Sequence, residues 1–309
     1  MAEHPIQWLN QPGYKGETLN PIRAEFDGRI GWHCEKVAAG CRFCYAEATN
    51  KAGRFMGTKL PYGLASREKV IHEIYFPTLK RPLHWKKPRM IFWQDMGDLF
   101  GEWVTENWIT QVFRTVDATP QHLHVFCTKR PENVLRMWPA TSWSHENSDD
   151  ALYRPNVWLL YSASDQESLE SGLPHLLECL DLVPVLGLSL EPLIGPVVIP
   201  PEALDQLDWI IVGGESGQHA RPCSIEWVRS IRNQCSAAGV AFYFKQAGAK
   251  PFFDATPSIH DGWGRWAAKC EIVNGHWWPQ FAHPKGGDPS EWPEDMRVRQ
   301  WPNPAEAEE

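Results

Sequence analysis

Residues 208–246, DWIIVGGESGQHARPCSIEWVRSIRNQCSAAGVAFYFKQ, read as strand, turn, helix and strand. Asp208 to Val212 and Val240 to Lys245 are short, nearly continuous apolar runs, as expected of parallel strands covered on both faces. Between them Ser224 is placed to cap a helix, with Glu226 in its first turn. Ile225, Val228 and Ile231 fall on one face and Gly239 is a stop. The unit is one βα step, and the same step recurs toward the N-terminus.

Four more strands are expected upstream, at Arg89 to Gln94, His122 to Cys127, Asn156 to Ser162 and Val183 to Leu188. Thr105 precedes a helical stripe of Trp108, Ile109, Val112, Phe113 and Val116, and Leu169, Leu173, Leu176, Leu177 and Leu180 form another. A first strand near Arg29 to His33 and a helix from about Tyr45 to Phe55 bring the series to seven strands. The fold class expected is α/β, a partial or complete (β/α) barrel of TIM type. A doubly wound sheet is the competing arrangement, because strand order is not legible in one sequence. Residues 1–28 read as an N-terminal extension, 29–250 as the barrel and 251–309 as a Trp- and Pro-rich C-terminal extension that wraps or caps it. The Pro-, Lys- and Arg-rich stretch at about 58–88 is read as an insertion.

The 309 residues are 43% hydrophobic and suit one main core. No apolar run reaches membrane-spanning length and the start lacks signal-peptide regions, so a cytoplasmic protein with no membrane partner is expected. The net charge of -8 argues against binding nucleic acid chiefly by long-range attraction. A local basic run, Lys80, Arg81, Lys86, Lys87 and Arg89 around Trp85, is the place to look for DNA contact, with a solvated loop as the plain alternative. Seventeen tryptophans are spread along the chain, six of them from Trp263 to Trp301, mostly for packing.

Of eight cysteines, three crowd into GWHCEKVAAGCRFCYAE. Six residues separate Cys34 from Cys41 and two separate Cys41 from Cys44, between a strand and a helix. Three thiolates can hold three irons of a cubane cluster and leave the fourth iron open to S-adenosylmethionine. Zinc is the rival, with His33 or Cys270 completing four ligands, although no second Cys-x-x-Cys or paired histidine is present. A zinc-stabilised, non-catalytic nucleic-acid-binding protein follows from that reading. A nucleotide hydrolase would need a Gly-Lys-Ser/Thr loop, which the chain lacks.

At Cys41-Arg42-Phe43-Cys44 the chain resembles the radical SAM superfamily, which places three cysteines after the first strand of a βα barrel. The first gap here is six residues where that superfamily usually has three. Further blocks, LHWKKPRMIFWQDMGDLF, VFCTKRPENV, LSLEPLIGP, DWIIVGGESGQHARP and FYFKQAG, resemble a phage-associated radical-SAM-like family, distantly similar to spore photoproduct lyases. The resemblance implies a [4Fe-4S] cluster on Cys34, Cys41 and Cys44, S-adenosylmethionine with Phe43 near its adenine, and a flavodoxin- or ferredoxin-type electron donor. It also implies radical chemistry in the host cytoplasm on a modified thymine base in phage DNA or its nucleotide, as an isomerisation or rearrangement.

Barrel logic turns attention to the strand ends. Asp95, Ser162 and Glu191 are the candidate cofactor contacts, and Cys127, Lys129, Glu215, Lys245 and Gln246 the candidate catalytic or substrate residues. Cys127 has a packing alternative and, by resemblance, a role as hydrogen-atom donor. Gly213 to Gly217 reads as a strand-to-loop turn or, with Arg221, as a phosphate cradle. By resemblance, a Gly-Gly-Glu triplet binds the methionine amine, though normally after the second strand.

Overall fold

The computed structural model describes residues 3–140, 152–254 and 270–303. The chain divides into two compact units, 1–161 with 172–186, and 162–171 with 187–309. Trp263, Trp266 and the acidic end beyond residue 303, expected in the C-terminal extension, lie outside the described residues.

The principal sheet has seven strands in the order β1 (Lys15–Leu19), β5 (Arg89–Trp93), β6 (Leu123–Thr128), β7 (Val157–Ala163), β8 (Val185–Leu190), β9 (Trp209–Gly213) and β11 (Ala241–Gln246). Spatial order equals chain order. Pairings β1/β5, β5/β6, β6/β7, β8/β9 and β9/β11 are parallel. A doubly wound sheet reverses direction at a switch point, whereas this series steps one way throughout, as the wall of a partial barrel does. The chain is therefore α/β with a singly wound parallel sheet.

Six of the expected strands appear within about two residues of their expected limits. The first does not. Arg29–Gly31 is β3 of a separate antiparallel sheet, paired with β2 (Ile22–Phe26), which also pairs with β4 (Ile71–Ile74). The seventh strand of the main sheet is β1, inside the stretch expected as an N-terminal extension. Its KGETL sequence is an edge strand with a mixed burial pattern, so it carries little of the apolar signal that marks the inner strands.

In the first unit α1 (Tyr45–Ala52), α2 (Leu64–Arg67) and α3 (Phe76–Lys80) lie in the β1-to-β5 connection. The helix α4 (Glu106–Asp117) is capped by Thr105, whose hydroxyl accepts from Trp108 N at 3.3 Å. Its Phe113 ring stacks on Phe126 of β6 at 5.1 Å. A single-turn helix α5 (Val134–Met137) follows β6; α6 (Gln166–Leu177), whose residues 166–171 are counted with the second unit, buries Leu169, Leu173 and Leu176. Leu180, expected on that stripe, is 37% exposed because the helix ends before it.

In the second unit α7 (Pro201–Leu204) precedes β9. The short β10 (Cys223–Ser224) leads into α8 (Ile225–Ala238), where Ser224 accepts from Glu226 N and Gly239 closes the helix in a left-handed conformation. The strands β12 (Pro251–Phe252), β13 (Cys270–Val273) and β14 (His276–Pro279) follow, β12 pairing with β10 and β13 with β14. The tail then returns along β11: Phe244 N donates to Val298 O and Gln300 N to Phe242 O, both at 2.9 Å. This covers the open edge of the last strand, which would otherwise present unpaired backbone groups.

Candidate metal centre

Cys34 lies just beyond β3, Cys41 sits in a 3-10 turn over Ala39–Phe43, and Cys44 is the N-cap of α1. All three are free thiols, Cys41 buried and the others half-buried. Cys34 and Cys44 pack with Trp32 against the buried cluster of Ala46, Tyr62 and Met96. Burial pushes the Cys34 thiol up, and Asp98 adds to it, while the guanidinium of Arg130 opposes. The Cys44 thiol is also raised, chiefly by burial, against backbone donors at Glu47 and Ala46. Cys44 and Cys41 add to the shift at Cys34, and Cys41 adds to the shift at Cys44, so the three lie within electrostatic reach of one another.

The segment stands at the C-terminal ends of β5 and β6. The hydroxyl of Tyr45, next to Cys44, donates to Asp95 O at 2.8 Å, and Asp95 lies two residues past β5. Arg130, two residues past β6, donates to Glu35 O at 3.3 Å, the same carbonyl that accepts from Cys34 Sγ at 3.7 Å. Active sites of parallel βα sheets are built at this end.

Sulfur-only donors, held by one loop against an apolar wall, match the ligand chemistry of an iron-sulfur cluster. Each sulfur of a cubane binds a different iron, so the donors need not converge on one point. Among the described residues no three Cys, His, Asp or Glu side chains gather as ligands of a single ion. His33 turns its ring to His72 at 5.1 Å and Trp103 at 4.9 Å, and its Nε2 lies 3.7 Å from Glu35. Burial first, then His72 and the arginines Arg67 and Arg130, lower its pKa to about 3, so it stays neutral there. Cys270, the other fourth ligand considered, begins β13 in the second unit.

Around the loop, Asp98 organises the approach. Its Oδ1 accepts from Thr128 Oγ1 at 2.8 Å and Phe100 N at 3.0 Å, and its Oδ2 from Lys129 N at 3.1 Å and Arg130 Nη1 at 3.2 Å. Lys129 thus contributes its backbone amide to this network. Asp95 accepts from Asn20 Nδ2 at 2.6 Å and Tyr45 at 3.3 Å, and burial raises its pKa against those donors. Cys127 is half-buried within β6, one residue before its end. Phe43 is half-buried under the Arg42 guanidinium, 5.2 Å from its centroid. Sequence reasoning places Asp98 and Arg130 among the polar strand ends of one barrel mouth but does not pair Arg130 with Cys34, and it missed Tyr45 and Tyr62. Only the pairing of distant segments brings them in, and the polar TKR after β6 was the one available signal.

The second unit gathers the remaining candidates at the ends of β8, β9 and β11. Lys245 Nζ meets Glu191 Oε1 at 3.0 Å and Oε2 at 3.1 Å, and Ser189 donates to Oε2 at 3.3 Å. Ser162 donates to Glu191 O at 3.4 Å, and Gln246 Nε2 to Gly214 O at 2.9 Å. The Glu191-Pro192 bond is cis.

Glu215 is buried and accepts from Arg221 N, Nε and Nη2 at 2.9, 2.8 and 2.7 Å. Arg221, read in one alternative as a partner of the Gly213 to Gly217 amides at a phosphate, turns these three donors onto the Glu215 carboxylate. Gly214 has a packing explanation as well: a Cβ there would stand 2.2 Å from Ala247 O. The glycine admits the close passage of the 246–248 backbone.

The basic run is partly neutralised. Glu17 pairs with Arg89 and Arg81, and both guanidinium groups lie over Trp85. Lys80, Lys86 and Lys87 are exposed. No helix among the described residues is long and apolar enough to cross a membrane.

No curated protein and no solved structure matches the chain. A family model described as a protein of unknown function, DUF5131, matches residues 18–270, covering the cysteine loop and the whole strand series from β2 to β12, and the chain belongs to that family.

Proposed function

We propose that this protein is a radical SAM enzyme on a partial (β/α) barrel of TIM type, with a [4Fe-4S] cluster on Cys34, Cys41 and Cys44. The observation that carries the reading is the grouping of three free thiols in one loop at the C-terminal ends of β5 and β6. With S-adenosylmethionine bound, such a cluster supplies one-electron reductive cleavage to a 5'-deoxyadenosyl radical, which abstracts hydrogen from the substrate.

The chain's own task is to bind, orient and exclude water. The apolar wall of Trp32, Ala46, Tyr62 and Met96 shields the sulfur donors from solvent. Tyr45 and Asn20 hold the Asp95 carboxylate in place at the strand end. The electron comes from a flavodoxin- or ferredoxin-type donor. The substrate class is a modified thymine base of phage DNA or its nucleotide, isomerised or rearranged, and the exposed Lys80, Lys86 and Lys87 are the place for phosphate contact.

Anaerobic reconstitution followed by iron, sulfide and 5'-deoxyadenosine assays tests this. Four irons and four sulfides per chain are expected for the full cluster. A triple Cys34→Ala, Cys41→Ala, Cys44→Ala variant that keeps its fold is expected to lose SAM cleavage. Reductive cleavage surviving in that variant, or zinc without sulfide in the wild type, defeats the assignment. Unchanged nucleosides after incubation with modified phage-type DNA defeat the substrate class alone.

A further inference from the structure

Arg130 is a buried cation placed beside a proposed cluster ligand. Only 3% of it is exposed, and its guanidinium is engaged at Nη1, at Nη2 and over one aromatic ring. Nη1 donates to Asp98 Oδ2 at 3.2 Å, Nη2 donates to Glu35 O at 3.3 Å, and the plane lies over Trp103 with the central carbon 5.1 Å from the ring centroid. The same Glu35 carbonyl accepts from Cys34 Sγ at 3.7 Å, so arginine and sulfur share one acceptor.

The clamp is fixed independently of the sulfur. Asp98 has three further donors, and Arg130 N itself donates to Thr128 Oγ1 at 2.9 Å, tying the start of the side chain to the end of β6. An arginine needed only to satisfy Asp98 would not have to reach the cysteine loop. Hydrogen bonds to ligand sulfurs and nearby positive charge stabilise the more negative, reduced state of an iron-sulfur cluster.

We propose that Arg130 is a positioning residue for the Cys34 ligand, holding its sulfur through a guanidinium clamped by Asp98 and Trp103 and thereby raising the reduction potential of the cluster. This rests on the cluster reading above. Arg130 acts through Cys34 and needs no contact with S-adenosylmethionine or substrate.

The test is the midpoint potential of the reconstituted full-length chain, followed by electron paramagnetic resonance in a redox titration without S-adenosylmethionine. Arg130→Gln is expected to load the same iron and sulfide as wild type and to titrate at a more negative potential. Arg130→Lys, which keeps the charge without the two-point geometry, is expected between the two. A loaded Arg130→Gln chain with the wild-type midpoint overturns the role of Arg130 and leaves the cluster standing. If Arg130→Gln takes up no iron, Arg130→Lys decides: a midpoint below wild type supports the role, and an equal one overturns it. A wild-type chain that takes up no iron and sulfide overturns cluster and role together.

Discussion

Replacing Asp98 by alanine is the most demanding test of the packing around the cysteine loop. Asp98 is 5% exposed and its two oxygens receive four hydrogen bonds, two of them from backbone amides and one from the Arg130 guanidinium. Each hydrogen bond to a charged group contributes about 1.5–3 kcal/mol, but these values do not add. Removing one partner of a buried ion pair costs about 3–5 kcal/mol, because the other charge stays buried. Arg130 keeps the Glu35 carbonyl, so we expect a loss of about 4 kcal/mol for Asp98→Ala. At about 2–4 °C per kcal/mol, Tm falls by roughly 8–16 °C. Asp98→Asn is expected to lose nearly as much, since the amide NH2 would face Lys129 N-H and Arg130, both donors. Urea titration followed by tryptophan fluorescence and far-UV circular dichroism measures the difference. A loss under about 1 kcal/mol for Asp98→Ala would show that the carboxylate is not the organising group.

Three other outcomes are expected. His124 is fully buried and its Nδ1 accepts from Trp93 Nε1 at 2.9 Å, which requires an unprotonated Nδ1, and burial lowers its pKa to about 3. Between about pH 6.5 and pH 3 the unfolded chain therefore binds a proton that the folded chain refuses. Stability is full above that window and falls on acidification by about 1.4 kcal/mol per pH unit from this residue; a His124→Asn variant with an unchanged pH slope would refute it. Gly214→Ala should destabilise by about 3 kcal/mol, since the new methyl meets backbone and not a movable side chain, and thermal unfolding within a degree of wild type would count against that geometry. Lys245→Met removes one partner of a half-buried pair and is expected to change stability by about 1 kcal/mol. Urea titration measures the difference, and a loss above about 3 kcal/mol would refute a half-buried, solvent-screened pair.

The inner strands were legible because they are buried on both faces: all residues of β7, β8 and β9 are buried, and such runs stand out as continuous apolar segments. The edge strand β1 was not, since Lys15 and Glu17 sit within it, Glu17 receiving Arg89 and Arg81. The misplaced first strand had a usable signal. Asp27 and Gly28 both adopt positive φ, 51° and 69°, between β2 and β3, and Asp-Gly flanked by β-formers marks a tight antiparallel hairpin. Reading Arg29 to His33 as a parallel strand overlooked that dipeptide. At the site, the cysteines declared themselves by spacing, whereas Arg130, Tyr45 and Tyr62 depend on which strand ends become neighbours. The glycines of 213–217 illustrate the reverse error. A motif resembling a ligand cradle is occupied by the Glu215-Arg221 pair and by close passage of the backbone.

The long first gap between Cys34 and Cys41 has its own support in the first unit. Lys36 Nζ reaches Glu47 Oε2 of α1 at 2.6 Å, which folds the added residues back onto the helix that Cys44 caps. Cys41 N then donates to Ala38 O at 3.0 Å and closes the turn. The other Glu47 oxygen accepts from Tyr62 N at 3.2 Å, and the Tyr62 hydroxyl donates to Met96 O at 2.7 Å, just past β5. Arg67 donates to Glu35 at 3.4 Å from the same inserted stretch. The segment at about 58–88, expected as an insertion with a basic face, thus also braces the loop. Lys36 belongs to this gap, so a shortened loop that drops it would leave the buried Glu47 without its lysine partner. Shortening the loop to three residues should therefore destabilise α1 unless Glu47 is replaced at the same time, and full stability in the shortened chain with Glu47 retained would refute that coupling.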